Sequence, residues 1–112
     1  MPGARGEAII QAGDREVRIL LTIRALVEAE KQAGKGLSAI LSKEGFGIQE
    51  TAILLCAGME AARRDARLGG PRITINDAYD VLTEVGWQAA SEAVLLAVTG
   101  AISPNEAEDP NL

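Results

Sequence analysis

The chain has 112 residues, enough for a single domain that buries roughly 65% of its unfolded surface without disulfide or metal staples. Its hydrophobic fraction of 47% is too high for a disordered chain, and a net charge of −5 argues against nucleic acid and anionic membranes, which are gripped by clustered Lys and Arg. One unpaired cysteine, no apolar signal region in Met1 to Glu7 and no near-apolar run longer than Thr51 to Ala62 point to a cytoplasmic protein.

With Phe46, Tyr79 and Trp87 as the whole aromatic set, the core must be aliphatic. Glu7 to Ala12 and Glu16 to Leu21 are expected strands, joined through Gly13-Asp14, where a leading glycine permits a type II′ turn. Val17, Ile19 and Leu21 alternate with Glu16, Arg18 and Leu20, so the second strand has one face to bury, matched by Ala8 and Ile10. A lone hairpin is marginal in water and must lie on something. Thr22 is a fitting N-cap for a helix over Ile23 to Ala33, which Gly34 and Gly36 end. Leu37 to Ser42 predicts a helical turn and Lys43 to Gly47 a loop.

Gln49 to about Arg67 is the strongest helix signal: from Ala52 to Ala62 only Glu60 is charged, as in a buried central helix. Gly58 within it implies a neighbouring backbone packed close. Leu68-Gly69-Gly70-Pro71 punctuates the chain, and Thr74 with Asp77 forms a capping box for Ile75 to Val85. Gly86 caps or kinks that helix. Trp87 to Ile102 is the last one, with Trp87, Ala90, Val94, Val98 and Ile102 on one stripe and Trp87 as a core anchor. Residues 103–112, with three acids and no base, are expected to be a disordered acidic tail after a single domain over residues 1–102. The fold class is α+β, mainly helical, with an N-terminal β-hairpin on a small bundle of four to five helices.

Histidine, the commonest general base and metal ligand, is absent. Cys56 lies in an apolar helix without a partner base, so its thiol is expected to stay protonated as a core residue. Asp77, Asp80 and Glu84 share a helical face but lack the loop and carbonyl ligands of a calcium site, which favours a solvated acidic face. Gly34-Lys35-Gly36 lacks the spacing of a phosphate-binding loop and reads as helix-end chemistry. Arg63, Arg64 and Arg67 complement the helix dipole, and Glu60 can pair with Arg64; an acidic protein partner is the rival reading of this trio. No catalytic residue, metal ligand or cofactor is expected. The surplus is apolar: Ile53 to Ala62 and Ala93 to Val98 are hard to hide together in a small bundle, which suits a groove that takes an amphipathic helix.

In order and spacing these features resemble the gene-transfer-agent type of phage tail assembly chaperone, a tail-tube-related family. The resemblance runs from Gly6 to about Ile102. It rests on Gly6-Glu7 before the first strand, the Gly13-Asp14 turn, the Arg18 to Leu21 strand, and Thr22 before Ala25-Leu26 and Glu28. It continues through the Ile48 to Met59 helix with Ala57-Gly58, Thr74 with Asp77, and Gly86 before the terminal helix. The charged stretch from Arg63 to Arg67 and the acidic tail depart from that pattern. The resemblance implies a non-enzymatic protein that coats the tape-measure protein in the host cytoplasm, is displaced by tail-tube subunits, and is missing from the finished particle. Its implied partners are the tape-measure protein and, as a second candidate, the major tail-tube protein, without nucleic acid or membrane and with self-association open. The runner-up readings are a structural minor tail protein and a small regulatory interaction module.

Overall fold

Gly13-Asp14 closes a hairpin whose register sets the buried face. In the structure, a computed structural model that describes residues 6–103, β1 (Glu7–Ala12) pairs antiparallel with β2 (Arg15–Leu20). Gly13 has φ +66°, and among the described residues Arg67 is the one non-glycine with positive φ, so Asp14 is not left-handed and the turn has the type II′ pattern. A two-residue turn pairs Ala12 with Arg15, which starts β2 one residue earlier than the sequence predicts. Ala8 faces Ile19 and Ile10 faces Val17, and this row is buried together with Ala12 and Leu21. Leu20, on the opposite row, is also buried, and it lines one groove together with Ala25 and Cys56.

Five helices follow: α1 (Ile23–Ala33), α2 (Leu37–Ile40), α3 (Ile48–Asp65), α4 (Ile75–Val85) and α5 (Trp87–Ile102). The architecture is thus α+β and mainly helical, as its sequence predicts. Thr22 caps α1 by accepting from the Ala25 N–H at 3.0 Å, and Gly34 ends it at φ +74°. The Glu30 carboxylate, facing back from α1, accepts from the Leu37 N–H at 2.7 Å and so caps α2. At the start of α3 the Glu50 carboxylate accepts from the Gly47 N–H at 3.0 Å, half of a capping box, since glycine has no side chain to return the bond.

The apolar run makes α3 the centre of the molecule: it packs against β2, α1, α4 and α5, with Ala52, Leu54 and Leu55 fully buried. Gly58 faces the hairpin, where a Cβ would stand 3.0 Å from the Cβ of Ile19 and 3.4 Å from Cγ of Leu21. The close neighbour is therefore side chain, not the backbone its sequence suggests. Close backbone approach occurs instead at the domain edge. A Cβ on Gly6 would meet the Leu21 carbonyl oxygen at 2.5 Å, and one on Gly100 would meet the Gly6 nitrogen at 3.1 Å, so these two glycines let α5 close against the hairpin.

Three expectations are corrected at element ends. The α3 helix stops at Asp65, not Arg67, in a Schellman arrangement: the Leu68 N–H donates to the Arg63 carbonyl and the Arg67 N–H to that of Arg64, both at 3.0 Å. Arg67 takes the left-handed position itself, at φ 58°, ahead of the Gly69-Gly70 pair that marked the stop in the sequence. The short α2 ends at Ile40, not Ser42. Trp87 is no core anchor. The α4 and α5 axes diverge by 120° at Gly86 (φ +88°), and this leaves Trp87 42% exposed at the corner. Its indole N–H donates at 2.8 Å to the hydroxyl of the fully buried Thr51, which in turn donates to the Gly47 carbonyl at 2.9 Å. Its ring lies 6.4 Å from that of Phe46. Trp87 thus latches the start of α5 to the start of α3.

A fully buried Trp would lose about 3 to 5 kcal/mol on truncation to Ala. With the residue 42% exposed, Trp87→Ala is expected to cost about 2 kcal/mol, and Trp87→Phe about 1 kcal/mol for the lost hydrogen bond. Urea unfolding of both variants checks the order and spacing of these values. The expected cap of α4 is present: the Thr74 N–H donates to Asp77 at 2.8 Å, and the Asp77 N–H donates to the Thr74 hydroxyl at 3.4 Å. Ser103 caps α5, and the rest of the acidic segment expected to be disordered lies outside the described residues. No single helix among the described residues is long and apolar enough to cross a membrane.

Candidate protein-docking surface

From Trp87 to Ile102 the chain carries one charge, Glu92, so α5 can bury any face it likes. It buries Ala90, Val94, Ala97 and Val98 against β1, α3 and α4. The opposite side follows from the 3.6-residue period: Glu92, Leu95, Leu96, Thr99 and Ile102 fall on one outward stripe about 15 Å long. Leu96 is 67% exposed, Ile102 53% and Leu95 39%. Single exposed leucines are ordinary on any protein surface. Three large aliphatics along one stripe, with no charge beyond Glu92, form a face that water covers at a cost and that another helix can cover instead.

The two apolar segments singled out in the sequence thus fare differently. Ile53 to Ala62 disappears into the molecule, with every residue buried or half-buried. Ala93 to Val98 is split, with Val94, Ala97 and Val98 inside and Leu95 and Leu96 out. No family model, curated protein or solved structure matches the chain. Its own geometry therefore carries the functional argument. A smaller exposed pair, Ile23 and Val27, lies one turn apart on α1, and the other exposed large apolar residues belong to separate elements.

The arginine cluster is largely spoken for. Glu60, only 5% exposed, accepts from Arg63 through both carboxylate oxygens (2.9 and 2.7 Å), from Arg64 at 2.9 Å and from the Ile73 N–H at 2.9 Å. The Arg63 fork, with help from the Ile73 N–H and Arg64, outweighs burial and pulls the Glu60 carboxyl down to about 2. Arg63 also donates to the Leu68 carbonyl at 3.0 Å, so the unit ties the end of α3 to the loop that enters α4. Of the trio offered to an acidic partner, Arg63 and Arg64 are thus engaged within the chain. The i, i+4 spacing signals the Arg64 pairing, whereas the Ile73 bond depends on the return of the chain thirteen residues later and the Arg63 fork on the side-chain geometry at the end of α3.

The remaining chemical candidates sit as follows. Cys56 is buried, and burial pushes its thiol up, which keeps it protonated near neutral pH. Asp77 is occupied in the α4 cap, and Glu84 pairs with Arg15 of the hairpin at 3.1 Å. Among the described residues no three His, Cys, Asp or Glu side chains stand together as a metal site. Arg18 spans the outer face of the hairpin, bonding Glu7 and, at 2.9 Å, Asp65 at the end of α3.

Proposed function

We propose that this chain is a non-enzymatic assembly chaperone of the kind used by tailed phages and gene transfer agents, and that it holds helices of a tape-measure protein against the outer stripe of α5. The observation that carries the proposal is the exposure of Leu95, Leu96 and Ile102 on one helix face whose single charge is Glu92. A tape-measure protein is a long helix whose apolar stripe has no permanent partner until the tail tube closes round it. An apolar stripe of matching periodicity covers it without demanding an exact sequence.

The size of the stripe suits a temporary complex. Burying three half-exposed aliphatic side chains contributes on the order of 2 to 5 kcal/mol, and association itself costs several kcal/mol. A micromolar affinity, about −8 kcal/mol, is the expected upper range once the neighbouring surface joins in, and tail-tube subunits can displace such a complex. The net charge of −5 keeps the free chaperone soluble in the host cytoplasm while it waits.

Co-expression tests this reading. A tape-measure fragment that is insoluble alone becomes soluble and co-purifies with this chain. If the fragment stays insoluble and the protein is recovered as a stoichiometric component of finished tails, the chaperone role is wrong and a structural one replaces it.

A further inference from the structure

A second surface, of opposite character to the α5 stripe, lies between α1 and α3: a groove of about 590 Å³. Its floor is apolar and built of small side chains, Ala25, Cys56, Ala57 and Ala61, with Leu20 at one end. Its rim carries Arg24 and Lys31 from α1 and Arg72 from the loop before α4, all three exposed. None of these cations enters an ion pair with a described residue. The groove's acids are mostly committed: Glu60 to Arg63 and Arg64, and Asp65 to Arg18, which leaves Glu28. Three uncommitted cations against one uncommitted acid is a local reversal of sign in a chain of net charge −5.

We infer that this groove takes an acidic amphipathic helix from a partner protein, independently of what docks on α5. Arg24 and Lys31 are seven residues apart on α1, hence about 10 Å along its axis, and carboxylates at i and i+7 on a partner helix repeat at the same interval. Glu28, midway between them, repels an acid at the intervening turn and so selects spacing as well as sign. The apolar floor then covers the small side chains between the two carboxylates. Nucleic acid fits poorly, since Glu28 and Asp65 also line the groove and repel phosphates.

The test is fluorescence anisotropy with a labelled helical peptide of alanine and leucine bearing two glutamates seven residues apart, titrated with the full chain. The peptide binds, and its affinity falls at least tenfold on raising salt from about 50 to 300 mM, where the Debye length shrinks to about two-fifths. Arg24→Glu and Lys31→Glu, both at exposed positions, each weaken it at least tenfold without shifting the melting temperature, whereas Leu96→Asp leaves it unchanged. Equal binding of the same peptide with glutamines, indifference to the charge reversals, or tighter binding of a single-stranded oligonucleotide overturns the inference. Removal of residues 104–112 leaves the affinity unchanged; a tenfold gain would assign the groove to this chain's own acidic segment and overturn the assignment to a partner.

Discussion

Replacing Glu60 with alanine lowers the stability of the domain by about 3 to 5 kcal/mol, the range for removing one partner of a buried ion pair. The loss has three sources. Arg63 keeps its charge at a half-buried position without its fork partner, the Ile73 N–H loses its acceptor, and the tie between the end of α3 and the entry to α4 goes with them. Glu60→Gln keeps an acceptor for Ile73 and costs less, about 1 to 3 kcal/mol.

The pH dependence separates this account from simple loss of packing. A carboxyl held at about 2, against an ordinary value of 4.5, contributes stability that is complete above the ordinary value and is lost as pH falls from there through 2. The contribution is on the order of 3 kcal/mol. The Glu50 carboxyl is also held low, first by its own backbone N–H and then by that of Gly47 and by Lys35, so the wild-type acid slope contains both groups. The difference between wild type and Glu60→Gln isolates Glu60. Urea midpoints of the two proteins converge as pH falls from about 5 to 2; parallel curves across that window would show that the ionised carboxylate is not what holds the loop.

What could be read in advance divides along sequence distance. Caps and turns are local, and Thr22, Gly34, the Gly13-Asp14 turn and the Thr74 and Asp77 pair behave as their residue types dictate. The period of two in β2 and the apolar run of α3 fix which faces turn inward. Misreadings arise where a distant element decides. Trp87 continues the apolar stripe of α5, yet its fate depends on the bend at Gly86 and on Thr51, 36 positions earlier. Glu60 looks like one charge in a greasy helix, and only the return of the chain at Ile73 shows a carboxylate with a full set of donors. The docking stripe is half legible: the uncharged stretch from Ala93 to Val98 announces surplus apolar surface, but which leucines stay outside follows from the side on which β1 and α4 cover α5.

The second large effect is on binding. Leu96→Asp weakens the hold on a tape-measure helix about a hundredfold, because it removes the most exposed aliphatic of the stripe and places a charge in a contact that sheds water. Leu96→Ala, which only deletes apolar area, weakens it about tenfold, equivalent to about 1.4 kcal/mol. Neither substitution disturbs folding, since the side chain points into solvent, and both variants keep the parental melting temperature within a degree or two.

Titration calorimetry of the intact chain with a soluble tape-measure helix, across several temperatures and two salt concentrations, tests the central claim most directly. Docking through the α5 stripe predicts micromolar binding with a negative heat-capacity change and little salt dependence, weakened about a hundredfold in Leu96→Asp and kept in Arg24→Glu. Undiminished affinity in Leu96→Asp, or binding that vanishes with added salt and shows no heat-capacity change, would contradict it.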